Sequence, residues 1–196
     1  MCQSITKREQ WFNAALPLLQ DKVFGPNNLV IPDNVRIGVG TLSSRSAAAK
    51  NAKLGVCFPS ERSASNMIEI FLSPELEESS RVLDVICHEL IHAIDGNENG
   101  HKGPFRTMAK AIGLEGKMTA TVAGERLNAT LSEIVTVIGN YPHEKLDTTA
   151  VKKQTTRMLK VECDDCGWNF RTNKSQIAAM TSTTCLSCGE DSLTIC

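Results

Sequence analysis

Two histidines and a glutamate stand within one short segment, His88-Glu89-Leu90-Ile91-His92. This is the His-Glu-x-x-His pattern, in which two imidazoles one helical turn apart bind zinc and the glutamate serves as general base. On a helix, His92 falls about 40° and Glu89 about 100° from His88, while the apolar side chains cluster between about 120° and 240°. The imidazoles therefore point away from the buried stripe, which favours ligands over core histidines. A purely structural metal site on the same helix is the alternative.

A third ligand is required, because a catalytic zinc takes three protein ligands and leaves one position open to water. His101 is the candidate, since eight residues separate it from His92 and several of them are Gly or Asn, which can turn the chain back. A carboxylate is the alternative third ligand, from Glu98, Glu115 or Glu125.

The chemistry that this arrangement predicts is hydrolysis of a peptide bond. Zinc lowers the pKa of a bound water toward about 7. Glu89 can take the proton of that water and pass it to the leaving amine. Tyr141 and His143 are candidates for a further hydrogen-bond donor to the developing oxyanion, and an ordinary surface turn at residues 141–143 is the competing interpretation.

A second metal site is predicted near the end of the sequence. Two Cys-x-x-Cys pairs, Cys163/Cys166 and Cys185/Cys188, are separated by 18 residues, and each pair is followed by glycine. This spacing is typical of a zinc ribbon, in which each pair supplies two thiolates to one tetrahedral ion. Reduced cysteines without a metal are the alternative. The other four cysteines have no ligand spacing and are interpreted as ordinary thiols: Cys2, Cys57, Cys87 and Cys196.

The ribbon also carries side chains that suit nucleic acid. Trp168 and Phe170 could stack on unpaired bases, and nearby basic residues could meet phosphates: Lys152, Lys153, Arg157, Lys160, Arg171 and Lys174. Five acidic residues nearly cancel these charges: Glu162, Asp164, Asp165, Glu190 and Asp191. The sequence therefore allows two interpretations of the ribbon, a structural or protein-contacting module and a nucleic-acid-binding module.

Composition indicates an ordinary globular protein. The chain has 196 residues, of which 41% are hydrophobic and 22% charged, and its formal net charge is -1, so nucleic-acid binding would need a local patch. We find no signal-peptide pattern and no apolar run of about 20 residues. We therefore expect a cytoplasmic or nucleoid-associated protein that is not secreted and has no membrane partner. In a reducing compartment the paired cysteines favour metal over disulfides.

Periodicity predicts an α+β fold. We expect helices over residues 4–19, 79–95, from 104 onward and over 127–138, with a helix start also at Ser73-Pro74. Strands are predicted at 35–39, 54–58 and 67–72, and a loop at 21–33. We expect a metalloprotease domain at 1–144, a linker at 145–156 and a zinc ribbon at 157–196, with a small mixed sheet packed on the motif helix.

Taken together, these motifs resemble the SprT-like (Spartan-type) metalloprotease family. The resemblance lies in Ile68-Glu69-Ile70, the His88–His92 motif, Gly100-His101, Phe105 and the closing ribbon. It implies a zincin-like domain with catalytic zinc on His88, His92 and His101, Glu89 as acid/base, and structural zinc on the four ribbon cysteines.

The resemblance also implies a role. Better-known members carry out DNA-dependent proteolysis of proteins crosslinked to DNA, so it implies protein substrates, single-stranded DNA or DNA–protein complexes as partners, and a place in DNA repair. One departure is that Lys102 follows His101 where the family often has Gly, although Phe105 keeps its position four residues after His101. The alternative is a non-catalytic, zinc-stabilised nucleic-acid-binding or transcription-associated module, against which the presence of Glu89 argues.

Overall fold

The computed structural model describes residues 5–40, 53–147 and 158–195. They divide into two compact units, residues 1–150 and 151–196. The predicted linker lies outside the described residues except for 145–147, as do Cys2, Cys196, Lys152, Lys153 and Arg157.

The first unit begins with helix α1, Arg8–Leu19. The chain continues through a π-helical segment, Gln20–Phe24, and a 3-10 turn, Gly25–Asn27. The prediction of a loop over 21–33 was therefore wrong in its first part. Val23 and Phe24 are buried, and they continue the apolar spacing of Leu19 beyond the predicted end of the helix. Pro17 lacks a backbone N–H, which perturbs the helix without ending it.

A three-stranded mixed sheet follows. Strands β1 (Val35–Val39), β2 (Gly55–Phe58) and β3 (Ile68–Leu72) lie in the order β1-β3-β2, and a 3-10 turn, Ser60–Arg62, lies between β2 and β3. β1 runs parallel and β2 antiparallel to β3, so the predicted strands and mixed sheet are confirmed. Ile70 and Leu72 of the central strand are buried, while β2 is an edge strand of the sheet that the described residues form.

Helix α2, Ser79–Ile94, packs against β2 and β3. Glu78 caps its start, because its carboxylate accepts hydrogen bonds from the backbone N–H groups of Ser80 and Arg81. The helix start predicted at Ser73-Pro74 was wrong. Ser73 forms a turn there, with its Oγ accepting a hydrogen bond from the Glu75 N–H.

After α2 the chain forms the two helices predicted from 104 onward and over 127–138, joined by a hairpin that the sequence pattern did not predict. Helix α3 (Gly103–Ile112) leads into a hairpin of β4 (Leu114–Lys117) and β5 (Ala120–Ala123), and helix α4 (Glu125–Ile138) follows. Gly113 ends α3 at φ 95°, a left-handed conformation suited to glycine. Four-residue strands of mixed polarity carry little periodic signal, so the hairpin was missed.

The second unit is a small sheet around the cysteine pairs. Strands β6 (Leu159–Cys163), β7 (Asn169–Thr172) and β8 (Leu193–Ile195) pair antiparallel in the order β7-β6-β8, with a short helix α5, Lys174–Ala178. The α+β fold class with a terminal cysteine ribbon is confirmed. Across the described residues, no helix combines the length and apolarity that a bilayer crossing demands.

Candidate metal centre and active site

Three imidazoles converge at one point of the first unit. His101 Nε2 lies 3.3 Å from His88 Nε2 and 3.2 Å from His92 Nε2. Nitrogens that share one tetrahedral zinc at about 2.0–2.1 Å are about 3.3–3.4 Å apart, so the spacing suits one such ion. Nε2 of each ring is thus the atom that would hold the metal.

The loop after α2 brings His101 back to the helix. Gly96, Asn97 and Gly100 have φ values of 64°, 60° and 55°, which reverse the chain. The Asp95 carboxylate accepts hydrogen bonds from the Asn99 backbone N–H and side-chain amide, which closes the turn. Among the described residues, the three histidines form a cluster that none of the alternative carboxylates joins, namely Glu98, Glu115 and Glu125.

Phe105 of α3 forms the apolar support of the cluster. Its ring is fully buried, with centroids 5.1 Å from His88, 4.4 Å from His92 and 5.0 Å from His101. One side chain therefore restricts all three rings.

The ring of His88 is oriented by a residue that sequence reasoning missed. Thr121 Oγ1, on β5, lies 2.8 Å from His88 Nδ1. With Nδ1–H donating to Thr121, Nε2 is left unprotonated and able to bind a metal. No local pattern marks Thr121, because its role depends on the unpredicted hairpin.

The charge state of the imidazoles also suits a metal. Burial, aided by the neighbouring imidazoles, lowers the pKa of His88 to about 3 and that of His92 to about 4. Both rings are therefore neutral near pH 7, which is the form that coordinates cations. The donor set and the Nε2 spacing together fit zinc.

Glu89 projects from α2 beside the cluster and is 5% exposed. Its carboxylate packs on Gly55 of β2, where an added Cβ would lie 2.5 Å from Glu89 Oε1. Burial raises the pKa of Glu89 to about 7, and the charge of Lys53 opposes this shift. A carboxylate with a pKa near neutrality can both accept and release a proton.

These groups line a cleft of about 770 Å³. One wall comes from the segment 53–57, which holds the first three residues of β2, another comes from the hairpin, and α2 contributes His88, Glu89 and His92. Three cationic side chains also line it, Lys53, Arg81 and Lys117. Arg81 pairs with Asp84 and donates to the Thr121 carbonyl at 3.3 Å.

Tyr141 and His143 are not among the residues that line this cleft. Tyr141 is buried, with its ring centroid 5.1 Å from that of Trp11. His143 Nε2 lies 3.1 Å from the Pro74 carbonyl. Tyr141 therefore packs in the core and His143 contacts the Pro74 carbonyl, and neither side chain lies in the cleft.

The four ribbon cysteines form the second cluster. Cys163 and Cys188 have their Sγ atoms 3.6 Å apart, as do Cys166 and Cys185, close to the ~3.8 Å expected around one tetrahedral zinc. The two knuckles share a backbone pattern, in which the Gly167 N–H donates to Cys163 O and the Gly189 N–H to Cys185 O. Both glycines have positive φ, 72° and 79°, as the turn requires.

The residues predicted to contact nucleic acid do not share one surface. Lys160 and Arg171 are cross-strand partners, and Phe170 is paired with Val161. Because side chains alternate along a strand, Phe170 lies on the opposite face of the sheet from the two basic residues. Trp168 stays with Phe170, at a centroid distance of 5.4 Å. Lys174 begins helix α5, and Lys160 pairs with Glu162 at 2.6 Å.

Comparison with known proteins gives one family. Residues 35–130, which hold the sheet, the three histidines, Glu89 and the hairpin, match the model of the SprT-like family. Neither a curated protein nor a solved structure matches the chain. The family and the two ligand clusters together support a zinc-dependent function of the metalloprotease type.

Proposed function

We propose that the chain is a zinc-dependent endopeptidase, because its residues 35–130 match the SprT-like family, to which it belongs. His88, His92 and His101 would hold the catalytic zinc, Glu89 would be the catalytic acid/base, and the four ribbon cysteines would hold a structural zinc. The observation that carries the proposal is the buried Glu89 carboxylate beside three convergent imidazoles in an open cleft. A purely structural site has no use for a carboxylate placed there.

The residues of the chain divide the work of hydrolysis. Zinc, when bound, supplies Lewis acidity and makes water more acidic. Glu89 accepts a proton from the attacking water at its carboxylate and returns it to the leaving amine nitrogen. Gly55 allows the carboxylate to approach β2, and the hydrogen bond with Thr121 orients the His88 ring.

The edge strand β2 offers a site for the substrate backbone. Among the described strands, β2 pairs only with β3, and residues 54–57 line the cleft. An extended peptide could add to this edge through backbone hydrogen bonds, which would bring its carbonyl groups past Glu89.

DNA-associated or DNA-crosslinked proteins are the proposed substrates, and the family resemblance supports this part. It implies single-stranded DNA as a partner. The proposed location is the cytoplasm or the nucleoid. In the ribbon, the Trp168–Phe170 pair is the group best suited to stack on bases.

The test compares the wild type with Glu89→Gln on a protein crosslinked to single-stranded DNA, with the uncrosslinked protein as a second substrate. We expect fragments from the wild type alone, and more of them from the crosslinked substrate. Equal cleavage of both substrates would support the endopeptidase proposal and contradict the proposed association with DNA. If zinc fills both sites and neither protein cuts, the endopeptidase proposal fails and the binding-module alternative takes its place.

A further inference from the structure

The cleft carries an unbalanced charge. Of its described lining residues, three are cationic and only Glu89 is acidic. Arg81 is neutralised by Asp84, so the excess comes from Lys53 and Lys117. Both lysines are exposed, and neither pairs with a carboxylate within the described parts of the chain.

The two lysines belong to different walls of the cleft. Lys53 immediately precedes β2, the strand whose Gly55 contacts Glu89. Lys117 ends β4, in the hairpin whose Thr121 contacts His88. A peptide lying between these walls would therefore meet two unpaired ammonium groups in the cleft that holds the reacting groups.

We propose that the cleft selects peptide segments with Asp or Glu close to the scissile bond, bound by Lys53 on the β2 wall and Lys117 on the hairpin wall. This inference rests on the proposed endopeptidase function and names its substrate class. Exposed ion pairs contribute modestly, so we expect about a threefold effect on kcat/KM from each lysine.

A peptide fits these cations better than a nucleic acid does. None of the described residues that line the cleft is Phe, Tyr or Trp, so the cleft lacks a platform for stacking bases. Two single lysines on separate walls also differ from the continuous basic groove that follows a phosphate backbone. The β2 edge, by contrast, provides backbone groups that pair with an extended peptide.

The first measurement is a cleavage-site profile of a degenerate peptide library, read by mass spectrometry. We expect Asp and Glu to be enriched within about three residues of the cut in the wild type, and the enrichment to disappear in the double variant Lys53→Gln/Lys117→Gln. Lys110→Gln, an exposed lysine on α3 outside the cleft, is the matched control and should keep the wild-type profile. Cutting with neutral or basic flanks, or an acidic preference that survives in the double variant, would overturn the inference while leaving the endopeptidase intact.

A binding measurement separates this inference from catalysis. Fluorescence anisotropy with zinc-loaded Glu89→Gln should show an alternating Glu/Ala 12-residue peptide binding about tenfold tighter than its Gln/Ala counterpart. The difference should shrink when both lysines are replaced and as salt is raised. The binding result stands even if the wild type cuts no peptide. Equal binding of the two peptides would then show that the cleft does not select acidic segments. If the lysine substitutions weaken binding of a single-stranded oligonucleotide and leave peptide selectivity unchanged, the cations serve nucleic acid and the inference is wrong.

Discussion

Gly55 determines how closely Glu89 can approach β2. The carboxylate occupies the space in which any other residue would carry its Cβ, at 2.5 Å from Oε1. Such an overlap forces one of the two groups to move. The carboxylate of Glu89 is the group that moves, because the β2 backbone is held by its pairing with β3. The geometry of the general base therefore depends on a missing side chain.

Replacing Gly55 by Ala should displace the Glu89 carboxylate. We expect peptide hydrolysis to fall about 100-fold, the scale of general acid–base catalysis, while zinc content stays unchanged. Turnover and metal analysis of the purified variant measure both quantities. Gly38→Ala in β1 is the control, because its added Cβ would meet only Phe71 at an ordinary 3.7 Å. Wild-type turnover in Gly55→Ala would mean that Glu89 is not the base.

Cys57 faces the cleft but should be a poor nucleophile. Cys57 is 8% exposed, and burial raises the pKa of its thiol to about 11. A hydrogen bond from the Asn97 amide favours the thiolate and opposes this shift without cancelling it. Because only the thiolate reacts, alkylation of Cys57 by iodoacetamide should be slow at pH 8 and accelerate as the pH rises toward 11. Peptide mapping after timed labelling measures the rate. Fast labelling at pH 8 would contradict the assigned burial.

At the scale of elements, the β4–β5 hairpin supports α2. It supplies Thr121 to His88 Nδ1, and the Thr121 carbonyl accepts a hydrogen bond from Arg81. Arg81 is in turn held by Asp84 on the same helix. The hairpin thus positions one ligand of the proposed catalytic zinc.

Thr121→Val removes the hydroxyl and keeps the shape of the side chain. We expect zinc affinity of the three-histidine site to drop 10- to 100-fold, since His88 loses the hydrogen-bond partner that orients its ring. Competition with a fluorescent chelator measures the affinity. Thr136→Val on the exposed surface of α4 should bind zinc as the wild type does. Equal affinities for both variants would show that Phe105 and the helix suffice to orient His88.

At the scale of the whole molecule, the two ligand clusters belong to two separate compact units. The four-thiolate site is closed, whereas a three-imidazole site keeps an open position. We expect about two zinc ions per chain, the three-histidine site releasing its ion first to a mild chelator.

Cys185→Ser should therefore lose about one zinc and make residues 158–195 sensitive to protease, because a ribbon this small depends on its metal to fold. The thermal unfolding of the first unit should stay unchanged. His101→Asn is the reciprocal variant, which should lose the other zinc and leave the ribbon protected. Loss of both ions in either variant would indicate that the two units fold together.

Sequence alone was sufficient where chemistry is local. Helical spacing set His88, Glu89 and His92 on one side of α2, and the Cys-x-x-Cys pairs with their glycines predicted the knuckles. Both patterns act within one helical turn or one tight turn of the chain. The strands β1, β2 and β3 were also found, since their alternation is read over a few residues.

Tertiary structure decided what depends on distant segments. The convergence of His101 on the helix, in preference to Glu98, Glu115 or Glu125, follows from the loop after α2, whose fold no short pattern determines. The contacts of Thr121 with His88 and of Gly55 with Glu89 join residues more than thirty positions apart. Such pairs form only when separate elements pack on a common core, and packing has no signature in the sequence near either residue.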